Sequence, residues 1–176
     1  MNIEVEIKAI LRDPKTIRKT LLERGGHSVS TRRMIDTYYN KLDETTYRQD
    51  WHLRIRVIQG HADGRLEFHL PQGDIHAQEY ELNISDVETM DDILQHLGYK
   101  PAVIVDKTRE TWKLDDFTIA LDHIDHLGDF IEVELMNVEV ELGRARITTF
   151  LGDIGIPPED HRVDLHYYTM VPPVTT

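Results

Sequence analysis

A short segment near the start of the chain alternates strictly between apolar and charged residues. From Ile3 to Ala9 every second residue is apolar, and the residues between them are Glu4, Glu6 and Lys8. Side chains of a β-strand alternate between its two faces, so this pattern predicts a strand with all three charges on one face. Glutamate and lysine form strands poorly, and three of them in line need a reason beyond propensity. A strand with one face in water would also explain the pattern, so the segment alone does not decide its role.

Three further pairs of like charges stand two residues apart, which is the spacing of one strand face. They are Arg54 and Arg56, Lys107 and Arg109, and Glu132 and Glu134. If these strands share one concave face, the carboxylates can hold a hard divalent cation and the basic pairs can bind phosphate oxygens. The combination predicts a metal-assisted polyphosphate site.

The composition excludes several classes of function. The chain has 176 residues, of which 40% are hydrophobic and 30% charged, and this suits one domain, 1–176, with a real core. A formal net charge of −12 argues against non-specific nucleic-acid binding, since a duplex binder presents a large cationic surface. The chain has no cysteine, which excludes disulfides and thiolate metal sites. With no leader pattern and no long apolar run, a cytoplasmic protein without a membrane partner is expected.

Alternating segments separated by turn residues predict about eight strands. They lie near 2–10, 28–40, 50–59, 64–71, 77–84, 102–113, 116–124 and 129–136. Their short connections favour antiparallel pairing. Eight strands are about enough to close a barrel or tunnel around a small ligand.

Helices are predicted at a few places between and after the strands. A first helix begins after Asp13 and ends at Gly25, as expected for an N-cap followed by proline and for a terminal glycine. The capping box at 85–88 begins a second helix. An apolar stripe that is expected to face the core follows it, formed by Val87, Met90, Ile93, Leu94 and Leu97. In the tail, 140–151 and 162–170 are candidates. The expected fold class is α+β, a mainly antiparallel eight-stranded β-barrel with flanking helices.

Six motifs stand in a fixed order along the first 134 residues. They are Glu4-x-Glu6-x-Lys8, Asp36-Thr37-Tyr38-Tyr39, Leu53-Arg54-Ile55-Arg56, Lys107-Thr108-Arg109, Leu121-Asp122 and the run 127–134. In this order they resemble the CYTH superfamily, the triphosphate tunnel metalloenzymes. The spacing around the segment 97–101 and the run 127–134 look most like the class IV adenylyl cyclase branch.

The resemblance implies roles for the charged residues. The implied ligands of Mg²⁺ or Mn²⁺ are Glu4, Glu6, Asp122, Glu132 and Glu134. The implied triphosphate-binding residues are Arg54, Arg56, His69, Lys107 and Arg109. Lys8 would orient or deprotonate the nucleophile. Neighbouring cations are expected to lower the pKa of Lys8, which would favour deprotonation. The alternative for these residues is ordinary strand charges and surface ion pairs.

Two positions depart from the family pattern. His69 stands where relatives usually place a phosphate-binding lysine, and Ala77 stands where a basic residue is common. A charge-assisted hydrogen bond contributes about 1.5–3 kcal/mol, so losing two would weaken binding on the order of a hundred- to ten-thousandfold. A protonated imidazole at His69 would restore part of the charge below about pH 6.5.

Three functions remain open. The first is an enzyme resembling class IV adenylyl cyclase, which converts ATP to cyclic AMP and pyrophosphate. The second is a triphosphatase of the same architecture that acts on thiamine triphosphate, inorganic triphosphate or a nucleotide. The third is a non-catalytic triphosphate or nucleotide sensor. In each case the partner is a small-molecule triphosphate, and the protein is a monomer or homodimer.

Overall fold

The computed structural model describes residues 3–44, 51–72, 75–162 and 166–174. The strands are β1 Ile3–Ile10, β2 His27–Lys41, β3 His52–Ile58, β4 Gly64–Pro71, β5 His76–Ile84, β6 Tyr99–Leu114, β7 Phe117–Ile124 and β8 Gly128–Met136. The helices are α1 Pro14–Glu23, α2 Val87–His96, α3 Val140–Asp153 and α4 Tyr167–Met170, with a short 3-10 helix at Pro158–Asp160. The predicted strand bounds differ from these by at most three residues. Residues 2, 50 and 163–165 of the predicted elements lie outside the described residues.

The eight strands form one closed barrel in the order β1-β5-β4-β3-β2-β6-β7-β8. All neighbouring strands pair antiparallel. β1 closes the barrel, because it pairs with β5 on one side and with β8 on the other. The predicted fold class is therefore confirmed.

Strand alternation separates an apolar outer face of the barrel from a charged interior. On β1, Val5 and Ile7 are buried on the outside, in a cluster that includes residues of α1 and α3. Glu4, Glu6 and Lys8 alternate with them and line the interior. The outer packing fixes which face of each strand turns inward, since a shift of one residue would turn every charge outward.

α2 covers the barrel only partly. Its N-cap is Asp86, whose side chain accepts a backbone N–H of the first turn, one residue later than the predicted capping box at Ser85. Leu94 is buried against the outside of the barrel. Ile93 and Leu97 are 45% and 69% exposed, so the predicted core stripe is wrong for these two residues. A helix of ten residues turns only part of its apolar stripe onto a curved barrel surface.

A third apolar cluster lies inside one end of the barrel. Val103 and Val105 share a strand face with Lys107, and they pack with Tyr167 and Tyr168 from α4. The segment 166–174 therefore enters the barrel end.

None of the helices in the described part of the chain is long and apolar enough to cross a membrane.

The described ends of the predicted helix 162–170 differ from each other. Tyr167–Met170 is helical, and residues 163–165 lie outside the described residues. At the start of the predicted helix the backbone is extended instead, because Arg162 N donates to Lys8 O at 2.7 Å and His161 forms a bridge with Ala9. β1 pairs with β5 through Ile3, Glu4 and Val5. Lys8 and Ala9 lie beyond this pairing, so the tail can pair with them.

Candidate functional site

The interior of the barrel contains a cavity of about 600 Å³. Its lining includes ten of the eleven side chains to which a site role was assigned from the sequence: Glu4, Glu6, Lys8, Arg54, Arg56, His69, Lys107, Arg109, Glu132 and Glu134. The eleventh, Asp122, lies behind the lining and is 1% exposed. The strand alternation thus brings residues from β1, β3, β4, β6 and β8 together.

Arg54 and Arg56 of β3 are held by carboxylates of the two neighbouring strands. The register places Asp36 opposite Arg56 and Glu67 opposite Arg54. Arg56 donates from Nε and Nη2 to the two oxygens of Asp36, both at 2.7 Å, and Arg54 Nε donates to Glu67 at 2.6 Å. Burial alone would raise the pKa of Asp36, but Arg56 and Arg54 outweigh it and hold that pKa well below its ordinary value. Both guanidinium groups are therefore fixed in place without a ligand.

Lys107 and Arg109 form a second basic group on β6. Arg109 donates to both oxygens of Asp122, at 2.7 and 2.5 Å, and also to Glu132. Lys107 Nζ lies 3.3 Å from Asp122 and 3.7 Å from Asp36. Burial and then the charge of Arg109 lower the pKa of Lys107 to about 8. Asp122 therefore binds and orients these two cations, and its expected role as a metal ligand stays a prediction.

Lys8 lies among carboxylates. Its Nζ is 3.0 Å from Glu132 and 3.3 Å from Glu6. Burial would lower the pKa of Lys8, but Glu132 and Glu6 outweigh burial and raise it. The expectation that neighbouring cations lower this pKa is wrong, because the register sets Lys8 opposite Glu132. Lys8 is a protonated hydrogen-bond donor in this arrangement.

Four carboxylates crowd together in another part of the lining. Glu6 and Glu134 are direct cross-strand partners, and like charges in such pairs are destabilising. Burial and then the charge of Glu6 raise the pKa of Glu4 well above its ordinary value, and Glu4 also shares a hydrogen bond with Glu79. Burial raises the pKa of Glu134 as well. This acidic cluster, defined by Glu4, Glu6, Glu79 and Glu134, has an excess of negative charge.

The acidic cluster fits a divalent cation by its chemistry. Within the described ranges, no group of three or more acidic or histidine side chains already converges on a metal position. However, Glu4, Glu6 and Glu134 offer only oxygen donors, which Mg²⁺ and Mn²⁺ prefer. A bound cation would also offset the burial and the repulsion that together raise the pKa values of Glu4 and Glu134. Glu132 is different, since Lys8 and Arg109 already bind it.

His69 joins the basic and acidic parts of the lining. Its Nδ1 lies 2.8 Å from Glu79, and its Nε2 lies 3.5 Å from Glu67. Burial would lower the pKa of His69, but its contacts with the carboxylates Glu67 and Glu79 outweigh burial and raise it. Ala77, the second departure from the family pattern, stands opposite Glu4 and brings no charge to the lining.

Several lining residues were not predicted from the sequence. They include Tyr38, His52, Arg65, Glu67, Glu79, Glu81, Arg162, His166, Tyr167 and Tyr168. Strand alternation could have found Arg65 and Glu67, because both share a face with His69. Tyr167 and Tyr168 gave no such signal, since they reach the cavity by tertiary packing of the tail.

Comparisons with known proteins agree with this geometry. The family model of the CYTH domain matches residues 2–161. The "putative adenylate cyclase" of Methanocaldococcus jannaschii is 31% identical over 135 residues, which cover 75% of this chain and 76% of that protein. Adenylate cyclase CyaB of Aeromonas hydrophila is 24% identical over 101 residues, which cover 57% of this chain and 51% of that protein.

A solved structure extends the likeness to the whole fold. The PH1819 protein of Pyrococcus horikoshii OT3 superposes with a TM-score of 0.81 at 26% identity, covering 95% of this chain and 97% of that chain. Motif order, barrel topology and the match over residues 2–161 lead to one conclusion. This chain belongs to the CYTH family.

Proposed function

We propose that the protein is a metal-dependent enzyme that acts on a small-molecule triphosphate. The observation that carries the proposal is that three strands, β1, β3 and β6, contribute five cationic side chains to the lining of one cavity, next to the acidic cluster. The cations are Lys8, Arg54, Arg56, Lys107 and Arg109. A triphosphate needs several cationic donors and a divalent ion together, and few other small ligands need both. The single domain over 1–176, its cytoplasmic location and its oligomeric state stay predictions.

The arginines would bind the phosphate oxygens. Asp36 and Glu67 hold Arg56 and Arg54 from the strands on either side, so the guanidinium groups lose little freedom when a ligand arrives. Asp122 holds Arg109 in the same way. These carboxylates position the cations that meet the substrate.

The acidic cluster would hold Mg²⁺ or Mn²⁺ through Glu4, Glu6 and Glu134, and Glu132 would join them once phosphate oxygens replace it at Lys8 and Arg109. The ion would polarise a phosphoryl oxygen and offset the charge that develops on it. Lys8 would orient the nucleophile as a donor. Lys107, whose pKa is lowered to about 8, is better suited than Lys8 to accept a proton near neutral pH.

The reaction we propose first is that of an adenylyl cyclase, in which the ribose 3′-hydroxyl attacks the α-phosphorus and pyrophosphate leaves. The relatives named adenylate cyclases support this choice. A triphosphatase is the second candidate, favoured by one observation. Tyr38 and His52 of the lining each pack against Tyr168, with ring centroids 5.0 and 4.8 Å apart, so these rings contact one another where a nucleobase would have to stack.

Product identity tests the proposal. The purified protein is incubated with ATP, thiamine triphosphate or inorganic triphosphate, with Mg²⁺ or Mn²⁺, and the products are separated by chromatography. Cyclic AMP with pyrophosphate supports the cyclase, released orthophosphate supports the triphosphatase, and tight binding without product supports a sensor. Glu134→Gln should lose turnover, whereas Glu141→Gln on the exposed start of α3 should not. Absence of both binding and product would overturn the proposal.

A further inference from the structure

Tyr167 reaches the interior of the barrel although it belongs to no strand. It lies on α4, and its ring packs against Phe130 of β8 with the ring centroids 5.1 Å apart. The residue is 4% exposed and lines the cavity. The tail therefore contributes a side chain to a site otherwise built mainly from strands.

Two lysines of the site face the ring of Tyr167. Lys8 Nζ lies 4.6 Å from the ring centroid, and Lys107 Nζ lies 5.0 Å from it. An ammonium group within about 6 Å of an aromatic face is attracted by the ring. The ring thus lies beside two of the five cations proposed for the phosphates.

The hydroxyl group of Tyr167 is buried and has no hydrogen-bond partner among the residues that the structure describes. Burial raises the pKa of this hydroxyl, and the charged groups with the largest further effect on that pKa are Glu132, Asp122 and Arg109. Both carboxylates already accept hydrogen bonds from Arg109. A buried polar group without a partner destabilises a fold. Among the described residues, the Tyr167 hydroxyl is such a group, because it is a donor without an acceptor.

We propose that Tyr167 is a substrate-binding residue whose hydroxyl donates a hydrogen bond to a phosphate oxygen of the bound triphosphate. This rests on the proposed function, because the five cations would bring phosphate oxygens to this part of the cavity. Phosphate oxygens are ionised acceptors, and hydrogen bonds to them are stronger than those between neutral groups. The ligand would therefore supply the partner that the hydroxyl lacks.

The substitution Tyr167→Phe tests the proposal, since it removes the oxygen and keeps the ring. Binding of inorganic triphosphate to the full chain is measured by calorimetry in the presence of Mg²⁺. We expect Tyr167→Phe to bind about ten- to a hundredfold more weakly. Its melting temperature without ligand should stay equal or rise, because an unpaired buried hydroxyl is lost. Tyr80→Phe is the matched control, since Tyr80 is exposed on the outside of β5 and should bind as the wild type does.

The outcomes separate this inference from the proposed function. If the wild type binds no triphosphate, the proposed function fails and the role of Tyr167 fails with it. If the wild type binds and Tyr167→Phe binds equally well, only the role of Tyr167 is overturned. Tyr167→Ala adds a second test. Tighter binding by that variant would mean that the ring occupies the place of the ligand, and this too would overturn the proposal.

Discussion

In the basic part of the cavity, Arg54, Arg56 and Arg109 are each bound by carboxylates of neighbouring strands, whereas in the acidic cluster carboxylates lie against one another. The first arrangement is neutralised within the protein and is stable without a ligand. In the second, burial and then repulsion between the carboxylates raise the pKa values of Glu4 and Glu134. The same residue type therefore stabilises the fold in one part and, under the proposed function, would bind a cation in the other. Removing one carboxylate charge should have opposite effects in the two parts.

The largest effect is expected for Asp36→Asn in the basic part. Asp36 is fully buried, at 0% exposure, and its loss of charge leaves Arg56 without its bidentate partner. Breaking a buried pair on one side destabilises a protein by about 3–5 kcal/mol. The free energy of unfolding from urea denaturation measures this. Asp106→Asn removes a similar bidentate pair with Arg33 on the outer surface and should change little. Equal effects for both variants would contradict the comparison.

A smaller effect of opposite sign is expected for Glu4→Gln in the acidic cluster. The substitution relieves repulsion, so the melting temperature without metal should stay equal or rise slightly. Affinity for Mn²⁺ should fall by about a hundredfold or more, which corresponds to about 2.8 kcal/mol. Calorimetry with Mn²⁺ and thermal denaturation of the same sample provide both readings. Unchanged Mn²⁺ affinity would return Glu4 to an ordinary strand charge.

The smallest effect is expected at His69, where the two parts meet. Because its pKa is raised, the imidazolium and its stabilising contacts with Glu67 and Glu79 are fully present below about pH 6.5. They are lost as the pH rises through the raised pKa of the folded state. Triphosphate affinity should therefore increase as the pH falls, although protonation of the ligand near pH 6 to 7 reduces the trend.

His69→Lys sharpens this expectation. It should strengthen triphosphate binding at neutral pH by about 1–2 kcal/mol and flatten the pH dependence. Ala77→Arg should add to it, with non-additivity if both side chains reach one phosphate. Titrations between pH 5.5 and 8.5 measure the trend. If His69→Lys and the wild type bind triphosphate equally well at every pH, His69 does not contact the ligand.

The barrel was predictable because its strands carry a two-residue period and its turns carry glycine or polar residues. Ten of the eleven expected site residues reach the cavity for the same reason, since alternation alone decides which face they share. Their environments were not predictable. Lys8 has a raised pKa because the pairing of β1 with β8 sets it opposite Glu132, and no local pattern encodes a partner so distant in sequence. Tyr167 was missed because the tail packs by tertiary contacts.

The closure of the barrel by β1 has a consequence for how fast the chain folds. Glu6 pairs with Glu134, so the ring of strands is complete only after segments from far apart in the sequence meet. Such non-local pairing has a high entropic cost and places folding in the slow range, of about milliseconds to seconds. Until β1 is in place, β5 and β8 have unpaired edges that can join other chains. The risk of aggregation is therefore greatest in the folding chain, since in the finished barrel β1 covers β8 and the beginning of β5.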